Sequence, residues 1–184
     1  KDAYTFAAVP TRYALERKDW KAASTLELKP ANFPWDNFSW EKSIVSFGRV
    51  LGAVHLRDMT TAKAGLGDLL ANHAVLIENK KDYEANQVRI QIMASEAWIQ
   101  FLLGNTAEAK RLMTDAATLE DATEKHPVTP GEVVPARELL GDMLMEMQDF
   151  PSALEAYESD IKRHPGRFNA LNGAAIAATK SGEV

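Results

Sequence analysis

The densest group of potential ligand atoms lies at Glu120, Asp121, Glu124 and His126, where three carboxylates and an imidazole fall within seven residues. Oxygen and nitrogen donors set so close suit several divalent ions, so a small-ligand or metal-binding role for the 120–132 segment is one reading. The structural alternative is favoured: Glu120 and Asp121 end a helix, and His126, restricted by Pro127, sits in a rigid turn. On that reading no metal and no cofactor is expected. His55, His73 and His164 are dispersed, and no helix carries the paired histidines of a hydrolytic zinc motif. No nucleophile-elbow sequence occurs. Gly65-Leu66-Gly67 lacks the preceding strand and third glycine of a dinucleotide loop and reads as close helix packing. Asn37-Phe38-Ser39 matches a glycosylation acceptor by triplet alone. Carboxylates are scattered along every surface helix without a sign of a perturbed acid–base pair. No catalytic residue is assigned, and the protein is expected not to be an enzyme.

Composition narrows the partners. Cysteine is absent, which removes disulfides, thiolate metal sites and cysteine nucleophiles together. The net charge is −5 and the sequence pI about 5.4, and Lys80-Lys81 is only a dipeptide in a helix connection. Phosphate binding draws on clustered Lys and Arg, so no nucleic-acid partner is expected. No apolar run approaches the roughly 20 residues needed to cross a bilayer, and membrane insertion is not expected either. With 184 residues, 46% hydrophobic and 26% charged, the chain can bury a substantial core. It opens at Lys1 without a methionine and closes at Val184 inside an apparent repeat, so a fragment or processed form of a longer protein is expected.

The elements that would position these groups are helices. Tyr83, Ile90, Met93, Ala97 and Phe101 recur at helical spacing, and Ala109, Leu112, Met113 and Ala116 do so on the next segment. Gly104-Asn105-Thr106 between them offers a residue tolerant of positive φ and then an N-cap. No segment alternates in the manner of a strand, so the fold class is all-α. The segment Leu140-Gly141, Leu144, Ala153, Tyr157, Ile161, Pro165 has the spacing of the tetratricopeptide (TPR) signature and resembles that family. Its period of about 34 residues places the next small position at Ala175 and the next turn glycine at Gly182. Earlier copies are marked by Ala97 with Gly104, by Asp58 with Ala62, and by Lys18-Asp19-Trp20 with Ala23. The resemblance implies a right-handed α-solenoid of antiparallel helix pairs in a single domain. Its approximate repeats are 4–42, 43–89, 90–133, 134–167 and a partial 168–184.

These repeats exceed the period at three places, each after the second helix of a pair, so the three insertions are expected on one edge. The first, Pro30 to Trp40, is unusually aromatic; Trp35, Phe38 and Trp40 either line a pocket or, preferably, pack the loop onto its own helices. The second, from Ala71 to Val88, reads as extra helical turns, with Asp82 opening a new helix and Tyr83 near its start. The third carries Glu124 and His126. Trp35, Trp40, Tyr83, Glu124 and His126 therefore form a candidate rim. The 119–132 segment, with 12–17 and 82–87, resembles the C-terminal part of a group of largely uncharacterised bacterial TPR proteins. That resemblance favours an exported or periplasmic location and supplies no reaction.

In TPR arrays the first helix of each pair lines the concave face. Carried onto this register, the rule points to Arg12, Phe47, Leu51, Trp98, Phe101, Glu138, Asp142, Asn169 and Asn172. Ala8 and Arg12 stand where a carboxylate-clamping TPR domain would have its first Lys and Asn, which argues against chaperone-tail binding. The expected function is a noncatalytic scaffold for a protein or peptide partner. The ligand is then a peptide with an apolar anchor on Trp98 and Phe101 and a basic residue met by Glu138 and Asp142; Trp98 equally reads as core. The alternatives are the small-ligand or metal-binding solenoid above and an accessory domain of a larger enzyme. The last helix, 169–180, lacks a following partner, so Leu171 and Ile176 are expected to fray or to self-associate.

Overall fold

The chain reverses direction between helices by one backbone device at five places. At Lys18, Arg57, Lys80, Gly104 and Gln148 the backbone takes a positive φ, between 51° and 82°. The amide of each such residue donates to the carbonyl three residues back, and the next amide to the carbonyl five back. At Arg57 these bonds run to Val54 (3.1 Å) and from Asp58 to Ala53 (2.9 Å). This closure satisfies carbonyls that a helix end leaves without partners. The following residue then starts the next helix: the side chains of Asp19, Asp58 and Asp149 accept from the amides of Ala22, Thr61 and Ser152 at 3.0, 3.0 and 3.4 Å.

The computed structural model describes residues 2–124 and 132–182. Among the described residues the regular elements are all helical. They are α1 (Asp2–Glu16), α2 (Trp20–Ser24), a 3₁₀ turn (Trp35–Asn37), α3 (Ser39–His55), α4 (Met59–Glu78) and α5 (Asp82–Leu102), followed by α6 (Thr106–Ala122), α7 (Ala136–Glu146), α8 (Phe150–Arg163) and α9 (Phe168–Ser181). Each packs against its sequence neighbours, and α1 with α3, α3 with α5 and α7 with α9 also touch. The length between 71 and 88 is carried almost wholly as helix, by the end of α4 and the start of α5. None of these helices is long and apolar enough to cross a membrane.

Close approach is achieved with small residues. Ala23, Ala62, Ala97, Ala116 and Ala153 have no exposed surface. A Cβ on Gly52 would stand 2.3 Å from the Ser24 amide nitrogen, so α3 and α2 meet backbone to backbone. Tyr157 of α8 is held between two glycines: a Cβ on Gly141 of α7 or on Gly173 of α9 would fall 2.5 Å from its ring. Gly182, expected as a turn glycine, caps α9 with a φ of 80°. Ala175 is exposed, and it is Gly173, two residues earlier, that faces Tyr157.

Large apolar side chains fill the inside. Ile44, Phe47, Leu51, Val88, Trp98, Met113, Leu139 and Met143 are buried in one continuous core.

Candidate functional site

Phe47, Leu51 and Glu138, expected on an open partner-facing surface, are buried in the interior, with 3%, 1% and 2% of their surface exposed, and Trp98, which reads equally as core, is 3% exposed. For the first three this is a correction with a simple cause. The helices α3, α5 and α7 carry bulky apolar residues, and burying them against one another is worth roughly 1.5–3 kcal/mol per side chain, so the face closes on itself. The side chain of Phe101 meets Trp98 edge to face, ring centroids 5.7 Å apart, and is only partly exposed.

The closure is completed by the turn after α1. Glu16 accepts from Arg167 Nη2 at 2.7 Å and from Asn169 Nδ2 at 3.1 Å. Arg167 also donates from Nε to Glu138 at 2.7 Å, so one guanidinium bridges α1, α7 and the start of α9. Burial raises the Glu138 carboxyl above the usual carboxylate range, and Arg167 opposes that shift. Lys18 reaches Asp142 Oδ1 at 3.4 Å, an oxygen that also accepts from Tyr157 Oη at 2.7 Å. Arg12 donates to the Tyr4 hydroxyl (3.2 Å) and the Glu132 carbonyl (2.9 Å).

Beside these contacts lies a crevice of about 220 Å³, bounded by Lys18, Trp20 and His55 on one side and by Asp142, Glu146, Asn169 and Asn172 on the other. Trp20 and His55 stack with ring centroids 3.8 Å apart and planes 10° from parallel, and His55 continues onto Trp98 at 4.6 Å. His55 Nδ1 lies 2.8 Å from the Leu51 carbonyl. A carbonyl only accepts, so that nitrogen carries the proton, and burial lowers the ring's pKa. The crevice thus has a neutral aromatic wall, two carboxylates and two amides. Of the residues expected at a partner site, the structure brings Asp142, Asn169 and Asn172 together here. Glu16, Lys18, Trp20, His55 and Arg167 are absent from that expectation.

The rim residues divide. Trp35 is buried and its Nε1 donates to the Pro30 carbonyl at 3.0 Å; with Phe33 and Phe38 it packs the loop on itself. Trp40 meets Tyr4 and Tyr83 at centroid distances of 5.4 and 6.5 Å. Asn86 donates to Thr123 Oγ1 at 2.8 Å, so contacts link the three segments expected to be insertions. Trp40 also edges an open hollow of about 490 Å³ between the 36–41 segment and the α4–α5 turn. Glu124 is exposed, and His126 lies outside the described residues.

Two of the three carboxylates considered as metal ligands, Glu120 and Asp121, are committed to partners within the fold. Glu120 is buried and accepts from the Ala136 amide at 2.7 Å; burial, then Glu132, pushes its carboxyl up to about 8. Asp121 pairs with Arg137 and, at 3.8 Å, with Arg163. His164 lies 2.8 Å from Asp160 and 3.4 Å from Glu132. Hydrogen bonds to both push its ring up to about 9. Among the described residues no group of three or more His, Asp or Glu side chains could hold a metal ion. On α9, Leu171 and Ile176 are exposed.

The chain matches no protein-family model, no curated protein and no solved structure.

Proposed function

We propose that the protein is a TPR-type helical-repeat scaffold, a right-handed stack of helix pairs, that binds a peptide or protein partner without catalysing a reaction. The partner sits in the crevice between the α1–α2 turn, α3, α7 and α9. The repeated left-handed turn with its capping residue, and the small residues at helix crossings, support the repeat reading. The observation that carries the binding reading is the composition of the crevice: the Trp20–His55 wall faces Asp142, Glu146, Asn169 and Asn172. Aromatic surface with carboxylates and amides around it suits an extended segment carrying an apolar anchor and a basic group.

Selection of peptides from a random display library on the immobilised protein tests this. Selected peptides are expected to lose about tenfold in affinity on Asp142→Asn or Asn172→Ala, the cost of roughly one charge-assisted hydrogen bond. If the selected peptides bind both variants as tightly as the unaltered protein, with far-ultraviolet circular dichroism unchanged, the crevice is not the binding site.

A further inference from the structure

Two side chains at the α1–α2 turn, Glu16 and Lys18, each rest on a different distant helix. Glu16 meets Arg167 and Asn169 at the start of α9 (2.7 and 3.1 Å). Lys18 meets Asp142 on α7 (3.4 Å), while Trp20 beside them lies flat on His55 at the end of the neighbouring α3. Stacking of successive helix pairs does not require the contacts of Glu16 and Lys18. Glu16 and Arg167 are 151 residues apart, Lys18 and Asp142 124 apart, and nearest-neighbour packing in a repeat array joins only adjacent units.

The contacts have the character of recognition: a carboxylate on a guanidinium and an amide, and an ammonium on a carboxylate. They are also weakly held. The Lys18 side chain is 46% exposed and that of Glu16 is 36% exposed, and ion pairs open to water contribute little to stability. The crevice of about 220 Å³ runs directly beside them, lined in part by Lys18 and Trp20 themselves.

We propose that Glu16 and Lys18 are an internal ligand of this crevice, and that the partner is a peptide presenting a carboxylate and a cation two residues apart, which binds beside the Trp20–His55 wall by displacing these two side chains. The inference rests on the partner-binding reading above and adds the ligand's chemistry and its regulation. An internal occupant lowers apparent affinity by the fraction of molecules in the occupied state, so the protein responds only to partners that outcompete its own turn.

The probe is a fluorescent synthetic peptide with the sequence of residues 13–24, titrated into the full chain. Its affinity is expected to be about tenfold higher for the Glu16→Gln, Lys18→Ala double variant than for the unaltered protein, because the internal competitor is weakened. A peptide carrying the same two substitutions should bind neither. A folded double variant that binds the probe no more tightly than the unaltered protein overturns the proposal. Should the double variant not fold, Glu16→Gln and Lys18→Ala singly must each raise probe affinity about threefold; no rise overturns it equally. Display-selected peptides that depend on Asp142 and Asn172 but lack the spaced carboxylate and cation overturn this inference and leave the binding reading intact. Selected peptides indifferent to both residues remove both.

Discussion

His164 is gripped from two sides, by Asp160 of its own helix at 2.8 Å and by Glu132 of the segment leading into α7 at 3.4 Å. Both partners favour the imidazolium, so the folded-state pKa rises from 6.5 to about 9. A base whose pKa is higher in the folded state contributes stability that is complete below pH 6.5 and lost as the pH rises through about 9. Glu120 adds a loss of the same sign at lower pH. Burial raises it from 4.5 to about 8, so over that interval the unfolded chain ionises it while the folded protein keeps it neutral. The free energy of unfolding in urea is therefore expected to fall between pH 5 and 9. His164 contributes roughly 1–2 kcal/mol of this fall: in His164→Gln the loss between pH 8 and 9 is expected to vanish and that between 6.5 and 8 to shrink to the share of Glu120, while in Glu120→Gln the part below pH 6.5 shrinks. An undiminished slope in His164→Gln would show that the imidazole is not ionised in that pocket.

At the scale of elements, the turns are more demanding than the helices they join. Arg57 holds a φ of 58°, a conformation that costs an L-residue with a side chain roughly 1–2 kcal/mol. Asp58 beside it accepts from the Thr61 amide at 3.0 Å and from its hydroxyl at 2.6 Å. Adjacent substitutions should move stability in opposite directions. Arg57→Gly is expected to stabilise by about 0.5–1 kcal/mol after glycine's own entropic cost, and Asp58→Ala to destabilise by about 1 kcal/mol. Equilibrium unfolding of the two variants reads both signs, and a destabilised Arg57→Gly would mean that the arginine side chain matters more than its backbone. The same contrast explains what can be read from the sequence. Helices such as α5 and α6 are legible because Ile90, Met93, Ala97 and Phe101, then Ala109, Met113 and Ala116, recur at helical spacing. Among the five left-handed turns only Gly104 announces itself; Lys18, Arg57, Lys80 and Gln148 take the conformation because the flanking helices impose it. The crevice is legible at Asp142, Asn169 and Asn172, positions on α7 and α9 that the expected register marks. Glu16 and Lys18 escape because a repeat period relates neighbours, and these residues meet helices at the far end of the order.

That long-range closure sets the behaviour of the whole molecule. A linear array of helix pairs would be most weakly held at its ends, and Leu171 and Ile176 of α9 are exposed. Yet α9 is tied at its start, where Arg167 joins Glu16 of α1 to Glu138 of α7. The two carboxylates are not equivalent partners. Glu138 has a side chain 3% exposed, whereas that of Glu16 is 36% exposed, so only Glu138 depends on the guanidinium to replace lost water. Removing the cation strands a buried charge, and Arg167→Met is expected to cost about 3–5 kcal/mol. Glu16→Gln, at a partly exposed site, should cost less than about 1 kcal/mol. Replacing Arg167 and Glu138 together with methionine should recover most of the loss, because a buried pair exchanged for apolar groups leaves no unpaired charge. Amide exchange along α9 locates the effect. In Arg167→Met those amides should exchange faster than those of α3 and α5, while in the double variant they should slow again. If Arg167→Met costs no more than Glu16→Gln and leaves α9 protected, the ends are held by their apolar contacts alone, and the bridge from Glu16 through Arg167 to Glu138 is a surface ornament of an already closed molecule.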